Sequence, residues 1–88
     1  MFQGVIETST AVPAEIGANG DALFDLGLMF STGRSGAIDL VAAHKWFNLA
    51  ALKGRVDALS HRRELAELMS ETEIAMAQRE ARAWMTAH

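Results

Sequence analysis

The sequence contains no cysteine, only one proline and no long apolar run. The lack of cysteine excludes disulfides, thiolate chemistry and cysteine-based zinc sites, although it does not by itself define a cellular compartment. Residues 1–20 contain no lysine or arginine and no apolar run long enough for a signal peptide. No window approaches the roughly 20 apolar residues of a membrane-spanning helix. We therefore expect a cytoplasmic protein with no membrane partner.

Positive charge is also scarce, because eight Lys and Arg stand against eleven Asp and Glu, for a formal net charge of −3. Nucleic acids and anionic membranes bind concentrated basic surfaces, so neither is expected as a partner. The chain has 88 residues, of which 50% are hydrophobic. That length and composition predict a single folded domain, which buries only about 60–65% of its unfolded surface and has a marginal core.

The residue types that carry chemistry do not form a catalytic or metal-binding pattern. His44, His61 and His88 lack the spacing of a metal site and are interpreted as surface residues. Ser60 is adjacent to His61, so their side chains point to different sides of a helix and cannot act together on a substrate. We expect no enzymatic activity, cofactor or metal; the alternative is a small ligand- or metal-dependent enzyme or regulatory subunit.

Apolar residues recur at helical spacing in four segments, and each segment predicts an α-helix. The predicted helices span residues 20–32, 40–53, 56–69 and 71–87. Residues 1–18 are weakly patterned and are interpreted as an N-terminal arm, whereas 19–88 form the helical domain.

Residues that cap helices mark several of these ends. Asn19 and Asp39 are expected N-caps, because their side-chain oxygens can accept from free N–H groups of the first turn. Gly33 suits the left-handed residue that ends the first helix. Ser70 and Glu73 have the spacing of a capping box before the fourth helix, and this is the most specific local signal in the chain.

The second helix carries the bulky pair Trp46 and Phe47, followed by the small pair Ala50 and Ala51. Small residues one turn from a large one let another helix approach while the large side chain fills the groove. Gly27, in the first helix, costs about 1 kcal/mol in helix propensity relative to Ala. We interpret that glycine as a place where another backbone comes close, and the chain as a helix-packing module.

Two spacings indicate an internal repeat. Ala22-Leu23 recurs as Ala58-Leu59, 36 residues later, and Ala43 with Trp46 recurs as Ala81 with Trp84, 38 residues later. A period in the mid-thirties with two helices per unit is typical of a helical solenoid.

A larger set of positions between residues 18 and 58 also has a characteristic spacing: Ala22, Leu26, Gly27, Phe30, Gly33, Gly36, Asp39, Ala43, Trp46, Ala50, Ala51 and Gly54. With these residues, 18–58 resemble one unit of the Sel-one-like repeat, a relative of the tetratricopeptide repeat. The resemblance implies an all-α fold, an α/α superhelix of the tetratricopeptide-like type with four antiparallel helices. It implies a repeat unit at 19–55, followed by a capping helix pair at 56–88, and a role as a non-catalytic protein–protein interaction scaffold.

One repeat cannot cover both of its own faces, and about three are usually needed. An uncovered apolar patch on the first helix would be unusual for a monomer, so we predict self-association, most simply as a homodimer through this helix and the arm. A further protein partner is expected but is not identified by the sequence; two arginines could anchor its acidic segment. The expected protein-binding residues are Phe24, Leu28, Met29, Phe47, Arg62 and Arg63.

Overall fold

The structure, a computed structural model, describes residues 19–34 and 36–87. Within these ranges the chain forms four α-helices and no strand, which confirms the all-α class. The predicted N-terminal arm lies outside the described residues. The helices are α1 (Gly20–Thr32), α2 (Leu40–Leu52), α3 (Ala58–Ala66) and α4 (Glu71–Ala87).

The predicted ends of α1 and the start of α2 are confirmed. The side-chain oxygen of Asn19 accepts from the backbone N–H of Ala22 at 2.8 Å. Asp39 accepts in the same way from Ala42 at 3.0 Å. Gly33 ends α1 in the left-handed conformation, with φ +75°. Each end is therefore fixed by a local hydrogen bond or backbone angle that the sequence signals directly.

Helix α3 is shorter than the predicted 56–69, because both of its flanks form tighter turns. Before it, Ala58 N–H donates to the carbonyl of Arg55 at 3.1 Å, and after it Leu68 N–H donates to that of Leu65 at 2.9 Å. Asp57, which precedes α3, makes no side-chain cap and instead accepts from Arg55 Nε at 2.7 Å. The carboxylate of Asp57 thus binds Arg55 instead of capping α3.

The capping box at the start of α4 is confirmed. The N–H of Glu73 donates to Ser70 Oγ at 3.1 Å, and the N–H of Ser70 donates to Glu73 Oε1 at 2.8 Å. These reciprocal bonds satisfy two donors that a helix start otherwise leaves free.

The substitution Ser70→Ala is expected to lower the free energy of unfolding by about 1 kcal/mol, because the N–H of Glu73 loses its acceptor. Urea denaturation followed by circular dichroism measures this loss. Ser60→Ala is the control, since the hydroxyl of Ser60 donates to the Asp57 carbonyl on the exposed surface. Equal midpoints for Ser70→Ala and the unsubstituted chain would contradict the prediction.

Helix α2 is the element on which the other three helices pack. The α1–α2 contact is the most extensive, and α3 and α4 each pack on α2 while making little direct contact with each other. Helix α2 is accordingly buried on several sides. Its buried residues are Ala43, His44, Phe47, Leu49 and Ala50.

Two glycines of α1 permit different close approaches. A Cβ atom built on Gly27 would stand 2.5 Å from ring atoms of Phe47, so the nearest neighbour over this glycine is a side chain and not the backbone that the sequence predicts. The close backbone approach is at Gly20, where a Cβ would lie 3.3 Å from both the Ala50 carbonyl oxygen and the Arg55 nitrogen. Helices α1 and α2 are therefore joined by a ring over one glycine and by backbone contact at the other.

Candidate interaction surface

The aromatic residues proposed for a binding groove lie instead in the core of the chain. Phe24 is 7% exposed and Phe47 is 1% exposed, with their ring centroids 5.4 Å apart. The imidazole of His61 stacks on Phe47 at 5.1 Å and meets Phe24 edge-on at 5.0 Å. The prediction that Phe24 lacks a covering neighbour is therefore wrong, because α3 supplies one, and neither phenylalanine offers its ring to a partner.

Two of the three histidines are packed between helices, which corrects their interpretation as surface residues. His44 is 3% exposed, and His61 is half-buried between the two phenylalanine rings. A sequence signal was available for His44, because it precedes Phe47 by three residues and so lies on the same side of α2. His61 had no such signal, because its apolar partners come from α1 and α2.

Leu28 and Met29, the remaining apolar candidates, are half-buried on α1. Leu28 packs partly against the core, whereas Met29 is outside the core cluster. Asp25 and Thr32, within one turn of these residues, are exposed. We call Asp25, Leu28, Met29 and Thr32 the outer face of α1. This face is smaller and less apolar than the patch that the sequence predicts.

The two candidate arginines have different environments. Arg62 is half-buried and donates from Nη1 to the side-chain oxygen of Asn48 at 2.6 Å, so it joins α3 to α2. Arg63 is exposed. Consecutive residues of a helix point about 100° apart, so the two guanidinium groups do not form one patch. The interpretation of Arg62 as an anchor for an acidic partner is corrected to a contact between helices, and only Arg63 is fully available.

Arg55 is the connection that the sequence did not indicate. It lies in the loop between α2 and α3 and pairs with Asp21 at 2.9 Å and Asp57 at 2.7 Å. Its guanidinium carbon also lies 3.9 Å from the centroid of the Phe24 ring. The hydrogen bond from Arg55 holds the pKa of Asp57 below its usual value. One loop cation thus connects the start of α1 with the approach to α3.

The recurring tryptophans meet each other. The centroids of Trp46 on α2 and Trp84 on α4 are 5.8 Å apart in an edge-to-face arrangement, and both residues are half-buried. The amine of Lys45 lies 4.3 Å from the centroid of the Trp46 ring. Aromatic pairs in this geometry contribute about 0.5–1.5 kcal/mol beyond their buried area. The Ala-x-x-Trp pattern therefore marks both sides of the contact between α2 and α4.

The most exposed large apolar side chains lie at the ends of helices and in their connections, and not on α1. Val56, for example, is 75% exposed in the loop between α2 and α3. Four such positions are spread over three connections, and singly exposed apolar residues are common on monomers. The four are Ile38, Leu52, Val56 and Leu68.

A shallow polar depression of about 260 Å³ lies at the start of α1, beside the end of α2. Its cations are Lys53 and Arg55, and the latter is already paired with two carboxylates. Across residues 19–34 and 36–87 there is no group of three or more side chains that could hold a metal ion. The depression is lined by Asn19, Gly20, Asp21, Lys53, Gly54 and Arg55.

Comparison with known proteins found no family model, curated protein or solved structure that matches the chain. Among the described residues, none of the helices has the length and apolar character needed to cross a membrane. Over the residues that the structure describes, the fold is a small all-α domain in which three helices pack on α2.

Proposed function

We propose that this chain is a cytoplasmic, non-catalytic protein–protein interaction module of the Sel-one-like repeat type, and that it self-associates through the outer face of α1. In this proposal residues 19–55 form the repeat unit and 56–88 form the cap. The supporting sequence feature is the repeat spacing, which accounts for the contact between Trp46 and Trp84.

The use of the polar and aromatic side chains supports a packing role. His61 fills the space between two phenylalanine rings, Arg62 joins α3 to α2, and Arg55 connects the start of α1 with the approach to α3. Side chains of these types could in principle serve catalysis, but here their partners are other side chains of the same fold. The described part of the chain therefore uses them to fix helices against each other.

The observation that carries the self-association proposal is the one-sided packing of α1. This helix packs chiefly on α2. Met29, on its outer face, is partly exposed and lies outside the core cluster. The apolar part of this face is small, so a dimer formed through it would be weak and would dissociate on dilution.

Met29→Asp is expected to abolish self-association, because a carboxylate at the centre of the contact would be buried without a partner. Analytical ultracentrifugation over a concentration series measures the effect: the unsubstituted chain should approach twice the monomer mass at high micromolar concentration. The variant should stay monomeric.

Gln78→Asp is the matched control, because it adds the same charge at an exposed position of α4. It should associate like the unsubstituted chain, and circular dichroism should show that both variants are folded. A monomer at high micromolar concentration for the unsubstituted chain, or unchanged association of Met29→Asp, would refute the proposed dimer.

A further inference from the structure

His44 is buried on α2, and one of its ring nitrogens has no hydrogen-bond partner among the described residues. The Nδ1 atom of His44 is buried and finds no partner within residues 19–34 and 36–87, and the residue is 3% exposed. Buried polar atoms in folded proteins are nearly always paired. An unpaired buried nitrogen therefore lowers the stability of the packing around it.

The neighbours of His44 on α2 show which helix covers it. Residues three and four positions apart share one side of a helix, so His44 lies beside Phe47 and Asn48. Phe47 stacks on His61 at 5.1 Å, and Asn48 accepts from Arg62 at 2.6 Å. Both contacts are with consecutive residues of α3, so α3 covers the side of α2 that carries His44.

The charged groups around His44 make its protonation unfavourable. Arg62 is the charged group that α3 brings to this side, together with the titratable ring of His61. From α1, the uncharged ring of Phe24 packs against Phe47, and α4 meets α2 through Trp84. Among the described residues, none of the carboxylates pairs with His44.

We propose that His44 and Arg62 form an acid-sensitive latch between α2 and α3, in which protonation of His44 releases α3 from α2 while α4 stays in place. A buried imidazolium would have an arginine beside it and no counter-ion, so the cation gains water only if α3 moves away. The contact between Trp46 and Trp84 does not involve this side of α2 and can persist.

The direction of the pH dependence follows from the pKa of His44. Burial, and secondly the charge of Arg62, lower that pKa below its ordinary value. The closed state, in which α3 packs on α2, therefore has its full stability above the ordinary histidine pKa. It loses stability as the pH falls from that value towards the lower pKa that His44 has in the closed state. Asp57 behaves differently: its lowered pKa acts only below about pH 4, outside this range.

Hydrogen exchange of the full chain at pH 7.5 and pH 5.5 tests the latch, after correction for the intrinsic pH dependence of exchange. The lower pH lies about one unit below an ordinary histidine pKa. The equilibrium constant for the opening of α3 should therefore be up to about tenfold larger there than at the higher pH. Amides of α4 and tryptophan fluorescence should change much less. Protection of α3 that is independent of pH, or equal losses in α3 and α4, would overturn the proposal.

Two variants assign the effect to one imidazole. His44→Gln should remove the pH dependence of α3, whereas His61→Phe, which keeps a ring between Phe24 and Phe47, should retain it. Should His44→Gln fail to fold, NMR titration of the unsubstituted chain decides: the His44 midpoint should coincide with the opening of α3. A His44 ring that titrates without any change in α3, or loss of the pH dependence in His61→Phe, would refute the latch.

Discussion

Replacing Phe47 with alanine is expected to lower the free energy of unfolding by about 3–5 kcal/mol, since it removes a fully buried aromatic ring and leaves a cavity. The ring is 1% exposed, contacts Phe24 and His61, and covers Gly27. It therefore joins α1, α2 and α3 at one point. Small domains are stable by only about 5–10 kcal/mol, so much of the native stability would be lost.

Urea denaturation monitored by circular dichroism measures the Phe47→Ala effect. Phe30→Ala is the matched control, because it makes the same chemical change at a half-buried position of α1. The control should lose less than half as much stability. Equal losses for the two variants would show that Phe47 is not the principal contact between the helices.

Gly27→Val is expected to destabilise the protein by about 2–3 kcal/mol, although valine has the better helix propensity by a few tenths of a kcal/mol. Any Cβ at this position would stand 2.5 Å from Cδ1 and Cε1 of the Phe47 ring and 2.9 Å from Cγ at its base. The ring is buried and cannot move aside freely, so the collision outweighs the gain in propensity.

The collision is specific to the space above Gly27, and two comparisons test this. Ala83→Val introduces the same side chain at an exposed position of α4 and should cost well under 1 kcal/mol. Combining Gly27→Val with Phe47→Ala should cost less than the sum of the single changes, because the valine then enters the vacated space. Additive losses would contradict a direct contact.

The sequence predicted the features whose cause is local. Capping residues lie within three positions of the N–H groups that they bind, so the start of α1 and the box formed by Ser70 and Glu73 could be inferred directly. The recurring tryptophans were also informative, because their rarity made the match between residues 46 and 84 notable.

The candidate site was predicted less well, because its environment depends on contacts between distant segments. Phe24 is covered by His61 and Arg55, which follow it by more than thirty residues. A histidine and an arginine at those positions suggest a solvated surface, and helical spacing cannot show that their flat groups lie against an aromatic ring. The same limit applies to Arg62, because its contact with Asn48 on α2 has no local signal in the sequence.

The arrangement of three helices around α2 has a consequence for partly unfolded forms of the molecule. Because α3 and α4 make little contact with each other, either one can detach while the other keeps its main support. Loss of α2, in contrast, would leave the other three helices with little shared surface beyond the contact between Phe24 and His61. Fluctuations that open one side of this protein should therefore be graded and separable, whereas those that reach its central helix should be all-or-none.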